Sequence, residues 1–241
     1  GILLSSAIKR YADLFGVACG EKNILLTNND SAYESAISLI QKGINIEAII
    51  DNREDVNSKL VYEVEKNNIK IFKGYTIVNT SGYKRINKVS IMQLSKDGQK
   101  VIGPKINLSC DCLGISGGWT PAVHLFTQSG GKLKFRDEDQ VFIPSTYSTE
   151  QISIGACNGD LTLDEILKNT PKSLKKFLNI KNTEYENTKV LSLDNKSKRN
   201  IWLLPSDKIL GKTKSFIDYQ NDATAKDIKL ALREGFKSIE H

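Results

Sequence analysis

Residues 24–32 read Ile24-Leu25-Leu26-Thr27-Asn28-Asn29-Asp30-Ser31-Ala32 and decide the fold of this chain. The first three predict a buried strand, and apolar residues recur at helical spacing from Ala32 onwards. A second apolar run at 46–50 follows this helix and ends beside an acid, Asp51. A strand, a polar loop, a helix and a second strand with a terminal acid are the layout of a nucleotide-binding βαβ unit.

The loop of this unit lacks the glycines that normally let backbone amides approach a pyrophosphate. Thr27 and Asn29 occupy the first two glycine positions, and Ala32 occupies the third, which tolerates alanine. Asparagine adopts left-handed backbone angles more readily than most residues, so the turn can form. Its side chain would nevertheless crowd a phosphate, and the carboxylate of Asp30 would repel one.

Two interpretations of the loop stay open. In the first, Asn28, Asn29 and Asp30 belong to a weakened NAD or adenine-nucleotide pocket, in which Asp51 accepts hydrogen bonds from a ribose diol. In the second, the fold is kept as a scaffold and the loop binds no nucleotide.

The rest of the chain predicts an α/β flavoprotein-type fold. A capping box of Ser31 and Glu34 would start the first helix of the unit. The further predicted elements are helices at 2–15, 57–67, 161–167 and 223–239, a strand at 69–72, meander strands at 75–78, 88–94 and 101–108, and strands at 110–115, 140–143 and 152–157. We expect a βαβ dinucleotide-binding-like domain with a β-meander, as part of a two-dinucleotide-binding-domain flavoprotein fold, plus a small C-terminal helical segment.

These elements also predict the domain boundaries. Residues 1–22 are expected to end a first FAD/NAD-type domain, 23–120 to form an inserted NAD(P)-binding-like domain, and 121–168 to return to the first domain. A basic insertion or loop at 169–200 and a helical segment at 201–241 follow. Because the chain begins without methionine and stops inside a predicted helix, we expect it to be a fragment of a longer protein.

The net charge of +6 comes from one segment. Residues 168–199 contain nine basic and three acidic residues, and nine minus three equals the whole excess. Few aromatic residues accompany this charge, whereas nucleic-acid readers combine a basic surface with aromatic or helix-in-groove readout. We therefore interpret the segment as a solvated insertion or a surface that faces another subunit, and we expect no nucleic-acid partner.

Cysteine and histidine usage argues against several kinds of site. Four cysteines in 241 residues give neither a disulfide framework nor a CxxC dithiol, which indicates a reducing, cytoplasmic compartment and argues against a disulfide reductase. Cys110 and Cys112 alternate on a predicted strand and should face the same way as small core residues. His124 should be structural, so we predict no metal site and no catalytic residue. No apolar run reaches the roughly 20 residues that span a bilayer, so we expect no membrane partner.

Three longer strings carry a resemblance to a known family. They are Thr27-Asn-Asn-Asp-Ser-Ala-Tyr33, Ser116-Gly-Gly-Trp-Thr-Pro-Ala-Val-His-Leu-Phe-Thr-Gln-Ser-Gly-Gly-Lys-Leu133, and the stretch that begins Phe216-Ile-Asp-Tyr-Gln-Asn-Asp-Ala and runs to His241. Through them the chain resembles the alpha subunit of heterotetrameric sarcosine oxidase over essentially its whole length, most weakly across 169–200.

The resemblance implies a middle slice of that subunit. In the family, an N-terminal flavoprotein-like half carries NAD and a C-terminal half binds tetrahydrofolate, while sarcosine is oxidised on flavins, FAD and FMN, associated with the beta subunit. The implied reaction is oxidative demethylation of sarcosine to glycine, with the one-carbon unit passed to formaldehyde or tetrahydrofolate. The implied partners are the beta, gamma and delta subunits.

The resemblance also implies where a cofactor pocket would remain in this slice. Besides the loop and Asp51, its members would be Gly117, Gly118, Trp119, Gly155, Ala156, Asn158 and Gly159. Asp218 and Gln220 stand where related iron–sulfur domains carry a CxC pair, so no cluster is expected. The alternative function is a stand-alone NAD(P)H-dependent flavin oxidoreductase, against which the missing dithiol and glycine loop count.

Overall fold

The computed structural model describes residues 1–180, 201, 203–208 and 214–237. The chain forms two compact units, of which the first contains Gly1–Ser116 with the residues that follow 200, and the second lies within Gly117–Asn200. Most of the predicted basic insertion, residues 181–200, lies outside the described residues.

The first unit contains a five-stranded parallel sheet with the order β1-β8-β2-β3-β4. Its elements up to residue 116 are β1 (Ile2–Leu4), α1 (Ser5–Phe15), β2 (Asn23–Thr27), α2 (Ser31–Gln41), β3 (Ile46–Asp51), α3 (Lys59–Lys66), β4 (Lys70–Lys73), β5 (Tyr75–Gly82), β6 (Ile86–Leu94), β7 (Val101–Ser109) and β8 (Cys112–Ser116). The predicted α/β fold with a parallel sheet is confirmed.

The two faces of the sheet are covered by different kinds of structure. Helices α1, α2 and α3 cover one face, where Leu25 belongs to the same buried cluster as Ile8 and Leu39. Strands β5, β6 and β7 form the predicted antiparallel meander. The meander contributes Ile91 to the cluster on the other face, which contains Ile24. Neighbouring residues of β2 thus enter opposite clusters, as the two-residue period of a strand requires.

The N-terminal 22 residues differ from the sequence-based expectation. The helix predicted at 2–15 begins only at Ser5, because residues 2–4 form β1 and pair in parallel with β8. Leu3 lies opposite Gly114 in this pairing. Residues 2–15 therefore supply an edge strand and a helix to the same sheet as β2 and β3. A strand of three residues is too short for its period to be distinguished from a helical one.

The prediction that Cys110 and Cys112 face the same way is wrong. Cys112 lies in the cluster under the helices, whereas Cys110 lies in the cluster under the meander. The strand begins only at Cys112, and the backbone amide of Cys110 instead donates to the carbonyl oxygen of Asn87. The two residues are therefore not neighbours on one face of a strand.

The second unit contains short helices, one strand pair and one longer helix. Its elements are α4 (His124–Gln128), β9 (Lys132–Arg136), β10 (Val141–Thr146), a 3-10 helix (Gly155–Asn158) and α5 (Leu163–Leu178), with β9 and β10 antiparallel. The strand predicted at 152–157 is wrong, because Gly155 adopts a left-handed φ of 69° and the chain turns into the 3-10 helix. Helix α5 runs well past the predicted end at residue 167, and a capping box of Thr162 and Glu165 starts it.

The C-terminal segment belongs to the first unit. Leu204 packs against the cluster under the meander, and Lys208 donates to the side chain of Asn79 on β5. The segment contains β11 (Phe216–Asp218), β12 (Ala223–Thr224) and α6 (Ala225–Arg233), so the helix predicted from 223 begins two residues later. Among the described residues, no helix is both long and apolar enough to cross a membrane.

Replacing Leu25 by alanine should destabilise the first unit strongly. Leu25 is fully buried in the cluster under the helices, so its loss removes apolar contacts and leaves a cavity. We expect the free energy of unfolding to fall by about 2–5 kcal/mol. Leu14→Ala is the matched control, because Leu14 is 62% exposed on α1. Urea titration of both variants measures the difference, and equal losses would contradict the described core.

Candidate functional site

Three strands end side by side at the edge where this fold class binds ligands. Thr27 ends β2, Ser116 ends β8 and Asp51 ends β3, and the strand register places Thr27 opposite both of the others. The chain leaves β2 for β3 on one side, while β8 returns on the other side, so the strand order changes direction here. In open α/β sheets the ligand lies outside the carboxyl ends of the strands at such a point. We call this place the crevice.

The side chain of Asn29 ties the polar loop to β8. Its Nδ2 donates to the carbonyl oxygen and the hydroxyl of Ser116, at 3.1 and 3.2 Å. Its Oδ1 accepts from the backbone amide and hydroxyl of Ser31, at 3.0 and 2.6 Å. The Thr27 hydroxyl donates to the Asn29 carbonyl oxygen at 2.7 Å. A hydrogen-bonded side chain therefore stands at a position that a phosphate-binding loop gives to glycine.

These contacts replace the capping box predicted for α2. Asp30 stands at the N-cap without a side-chain cap bond, and Ser31 is already the first helical residue. The Ser31 hydroxyl is directed towards Asn29 and Ser116 instead of capping the helix. The left-handed angles considered for the loop are also absent, since Asn28, Asn29 and Asp30 all have negative φ.

Both oxygens of the Asp51 carboxylate accept hydrogen bonds from Arg53 and Tyr33. Oδ1 accepts from the backbone amide and the Nε of Arg53, at 2.9 and 3.0 Å. Oδ2 accepts from the Tyr33 hydroxyl and from Nη2 of Arg53, both at 2.8 Å. Two carboxylate oxygens offer about four lone-pair positions, and four donors already fill them. A ribose diol could reach Asp51 only by displacing Arg53 or Tyr33.

Arg53 joins Asp51 to the polar loop. Its Nη2 lies 2.7 Å from Oδ1 of Asp30, so one guanidinium contacts two carboxylates. Only 4% of the Arg53 side chain is exposed, and Asp51 is fully buried. A buried charge cluster of this kind requires complete pairing, because an unpartnered ion in the interior is strongly destabilising. The two acids and one base leave one net negative charge at the crevice.

The pKa values of this cluster follow from burial and from the neighbouring charges. Burial raises the pKa of the Tyr33 phenol far above its ordinary value, and the charge of Asp51 raises it further. Burial acts to lower the pKa of Arg53, but its bonds to Asp51 and Asp30 outweigh that effect and raise it. Tyr33 therefore remains a neutral donor, and Arg53 remains a cation.

The structure brings four of the predicted cofactor-binding residues together at the crevice, namely Asn28, Asn29, Asp30 and Asp51. The remaining predicted residues, Gly117, Gly118, Trp119, Gly155, Ala156, Asn158 and Gly159, belong to the second unit. There, Gly159 adopts a φ of 90° and its carbonyl oxygen accepts from Arg136 at 3.0 Å. A cavity of about 240 Å³ lies beside this contact, lined largely by acidic side chains that include Glu138 and Asp160.

Sequence reasoning missed Tyr33, Arg53 and Ser116 as members of the crevice. The sequence did contain an indication of the Arg53–Asp51 pair. Arg53 follows Asp51 by only two residues, so its side chain can easily fold back onto that carboxylate. Ser116 and Tyr33 lie far from Asp51 in sequence, and only the fold brings them close. No group of three or more His, Cys, Asp or Glu side chains suited to a metal ion occurs within the described part of the chain.

Comparison with known proteins confirms the predicted resemblance. Residues 212–241 match the sarcosine oxidase A3 domain. The whole chain is 28% identical to sarcosine oxidase subunit alpha of Corynebacterium sp. strain U-96 and 25% identical to that of Rhizobium meliloti strain 1021. It spans 25% and 23% of these relatives, which is about a quarter of their length.

A solved structure shares the fold. The flavoprotein disulfide reductase RclA from Escherichia coli superposes with a TM-score of 0.51 at 15% identity, over 74% of this chain and 39% of RclA. The similarity supports the flavoprotein-type fold predicted from the order of strands and helices.

Replacing Asp51 by asparagine should destabilise the chain, because it leaves the buried guanidinium of Arg53 with one carboxylate instead of two. We expect a loss of about 3–5 kcal/mol in the free energy of unfolding. Asp55→Asn is the control, since Asp55 is exposed on the following loop, and its effect should be about 0.5 kcal/mol or less. Urea titration at neutral pH distinguishes the two, and a tolerated Asp51→Asn variant would show that the cluster is open to water.

Replacing Tyr33 by phenylalanine should flatten the alkaline limb of the stability curve. The pKa of Tyr33 is raised above 10.0, so its contribution is complete below pH 10 and is lost as the pH rises further. Urea titrations from about pH 8 to pH 11 should show a shallower decline in Tyr33→Phe than in the wild type. Tyr83→Phe is the control, because Tyr83 is 97% exposed. A parallel decline in wild type and Tyr33→Phe would contradict a buried phenol.

Proposed function

We propose that this chain is a portion of the alpha subunit of a sarcosine-oxidase-type complex and serves as its nucleotide-binding and structural part. Similarity to sarcosine oxidase alpha subunits over the whole chain is the observation that carries the proposal. The match of residues 212–241 to the sarcosine oxidase A3 domain supports it independently of the crevice.

The proposed activity belongs to the assembled complex. It is the oxidative demethylation of sarcosine to glycine, with the one-carbon unit released as formaldehyde or passed to tetrahydrofolate. The proposed partners are beta, gamma and delta subunits, in the cytoplasm, with FAD, FMN and tetrahydrofolate held elsewhere in the complex. This chain supplies no catalytic residue to that reaction.

Within the complex, we assign a scaffold role to the crevice of the first unit. The support is geometric, because both Asp51 oxygens already accept hydrogen bonds from Tyr33 and Arg53. The Asn29 side chain, at a position that phosphate loops give to glycine, is bonded to Ser116. Any contribution to NAD binding would then come from the second unit, through Gly117, Gly118 and Trp119 and through residues 155–159. Gly155 and Gly159 both have a left-handed φ, and because they carry no side chain, a cofactor could approach the protein backbone closely at residues 155–159.

The same geometry disfavours a stand-alone NAD(P)H-dependent flavin oxidoreductase. Such an enzyme must bind a pyridine nucleotide at the crevice, which is occupied here by buried side chains. The cysteines also offer no dithiol motif, and all four are free thiols.

The domain boundaries remain part of the proposal. Residues 121–168 would return to a first FAD/NAD-type domain, and the basic stretch at 169–200 would face another subunit. Helix α5 carries the start of that stretch, with Lys168, Lys172, Lys175 and Lys176.

The complete gene product provides the decisive experiment. Purified from its source, it should be a polypeptide about four times the length of this chain, as the relatives imply, associated with smaller subunits. Addition of sarcosine should release glycine together with formaldehyde and peroxide, and N-ethylglycine is the matched alternative amine. A single-subunit product that contains flavin and oxidises NADH but not sarcosine would favour the alternative function.

Calorimetry with NAD tests the scaffold role. Titrated into the isolated chain of 241 residues, NAD should give no saturable heat at concentrations up to about 1 mM, which corresponds to a binding free energy weaker than about 4 kcal/mol. Micromolar binding that is lost in Asp51→Asn would assign the nucleotide to the crevice and contradict the scaffold role.

A further inference from the structure

We propose that Arg53 is an internal ligand of the crevice and occupies the position that a ribose diol takes in nucleotide-binding relatives of this fold. Arg53 lies at the carboxyl end of β3, in the loop directly after Asp51. Its guanidinium reaches the acid that the βαβ layout reserves for a ribose. The inference depends on the geometry of the crevice and goes beyond the proposed amine oxidation.

The hydrogen-bond pattern at Asp51 is the first argument. A vicinal diol offers a carboxylate two neighbouring hydroxyl donors, one for each oxygen. Arg53 offers two neighbouring N–H donors in a rigid fork, with Nε at 3.0 Å from Oδ1 and Nη2 at 2.8 Å from Oδ2. The two groups therefore satisfy the same acceptor in the same bidentate way, and they cannot do so together.

Charge is the second argument. The crevice holds two carboxylates, Asp30 and Asp51, and both contact the same Nη2 of Arg53, at 2.7 and 2.8 Å. A neutral diol would neutralise neither of them, and a pyrophosphate would add further negative charge beside Asp30. A monovalent planar cation with several donors satisfies both acids at once. The pocket around Asp51 thus has the chemistry of a guanidinium site instead of a nucleotide site.

Anchoring of the Arg53 backbone is the third argument. Its amide donates to Asp51 at 2.9 Å, and its carbonyl oxygen accepts from the amide of Gly74 at 2.8 Å. Gly74 has a φ of 73°, a left-handed conformation that favours glycine, and it directly precedes the meander. The backbone is therefore held on both sides of the Arg53 Cα, which keeps the guanidinium within hydrogen-bond distance of Asp51.

Chemical rescue tests this proposal. In the full chain, Arg53→Ala should lower the melting temperature by removing the cation from between two buried acids. Methylguanidinium chloride at about 10–50 mM should then raise the melting temperature of the variant by roughly 2–4 °C, because a ligand that binds only the folded state stabilises it. Sodium chloride at the same ionic strength and neutral methylurea should not. Arg85→Ala is the control, since the Arg85 side chain is 60% exposed and should show no rescue.

Two double variants show whether the response requires Asp51 and guard against loss of folding in Arg53→Ala. In Asp30→Asn with Arg53→Ala, only one buried acid remains, so this chain should fold and still respond to methylguanidinium. In Asp51→Asn with Arg53→Ala, the acceptor is lost and the response should disappear. Rescue that persists without Asp51, or rescue equal to that of sodium chloride, would overturn the proposal.

A separate binding measurement tests whether Arg53 occupies the position of a ribose diol. Adenosine is a neutral nucleoside that carries the ribose diol. Calorimetry should detect its binding to the double variant Asp30→Asn/Arg53→Ala and none to the wild type. 2′-Deoxyadenosine lacks the diol and should bind the variant at least tenfold more weakly. Methylguanidinium rescue without any adenosine binding would overturn the claim that Arg53 stands in for a ribose. None of these outcomes depends on whether the assembled complex oxidises sarcosine.

Discussion

The buried pairing of Asp51 with Arg53 is the constraint on which the ligand edge of the sheet depends. It joins the end of β3 to the first turn of α2 through Tyr33 and to the polar loop through Asp30. Because buried ions require complete pairing, these groups cannot be moved one at a time without a large loss of stability. In a glycine-loop protein a bound nucleotide contacts this edge, and in this structure Arg53 and Tyr33 contact the acid there.

The fold and the sequence of the chain are similar to different groups of proteins. The parallel sheet, the meander and the returning β8 form a fold that RclA shares. The sequence, however, is similar throughout to sarcosine oxidase alpha subunits, which are about four times longer. A domain can keep its architecture within a large subunit after its own ligand site has been filled, since fold and site are separable.

The sequence predicts most strands and helices of the first unit well, but it does not predict the side-chain contacts at the crevice. Continuous apolar runs identify β2 and β3, which are buried along their length, and helical spacing identifies α2. Short strands separated by turns identify the meander. The strand at 2–4 and the turn at Gly155 escape prediction, since three residues carry no period and a left-handed angle has no unique sequence signal. Asp51 was identified by position, but its occupancy by Arg53 and Tyr33 depends on side-chain directions that only the folded chain defines.

The position of β8 between β1 and β2 has a consequence for how the chain acquires its structure. Residues 2–4 find their partner only at residues 113–115, so β1 is synthesised long before the strand with which it pairs. Contacts this distant in sequence close slowly, because a long loop must be ordered first. During translation, β1 must therefore remain unpaired until the meander and β8 have left the ribosome.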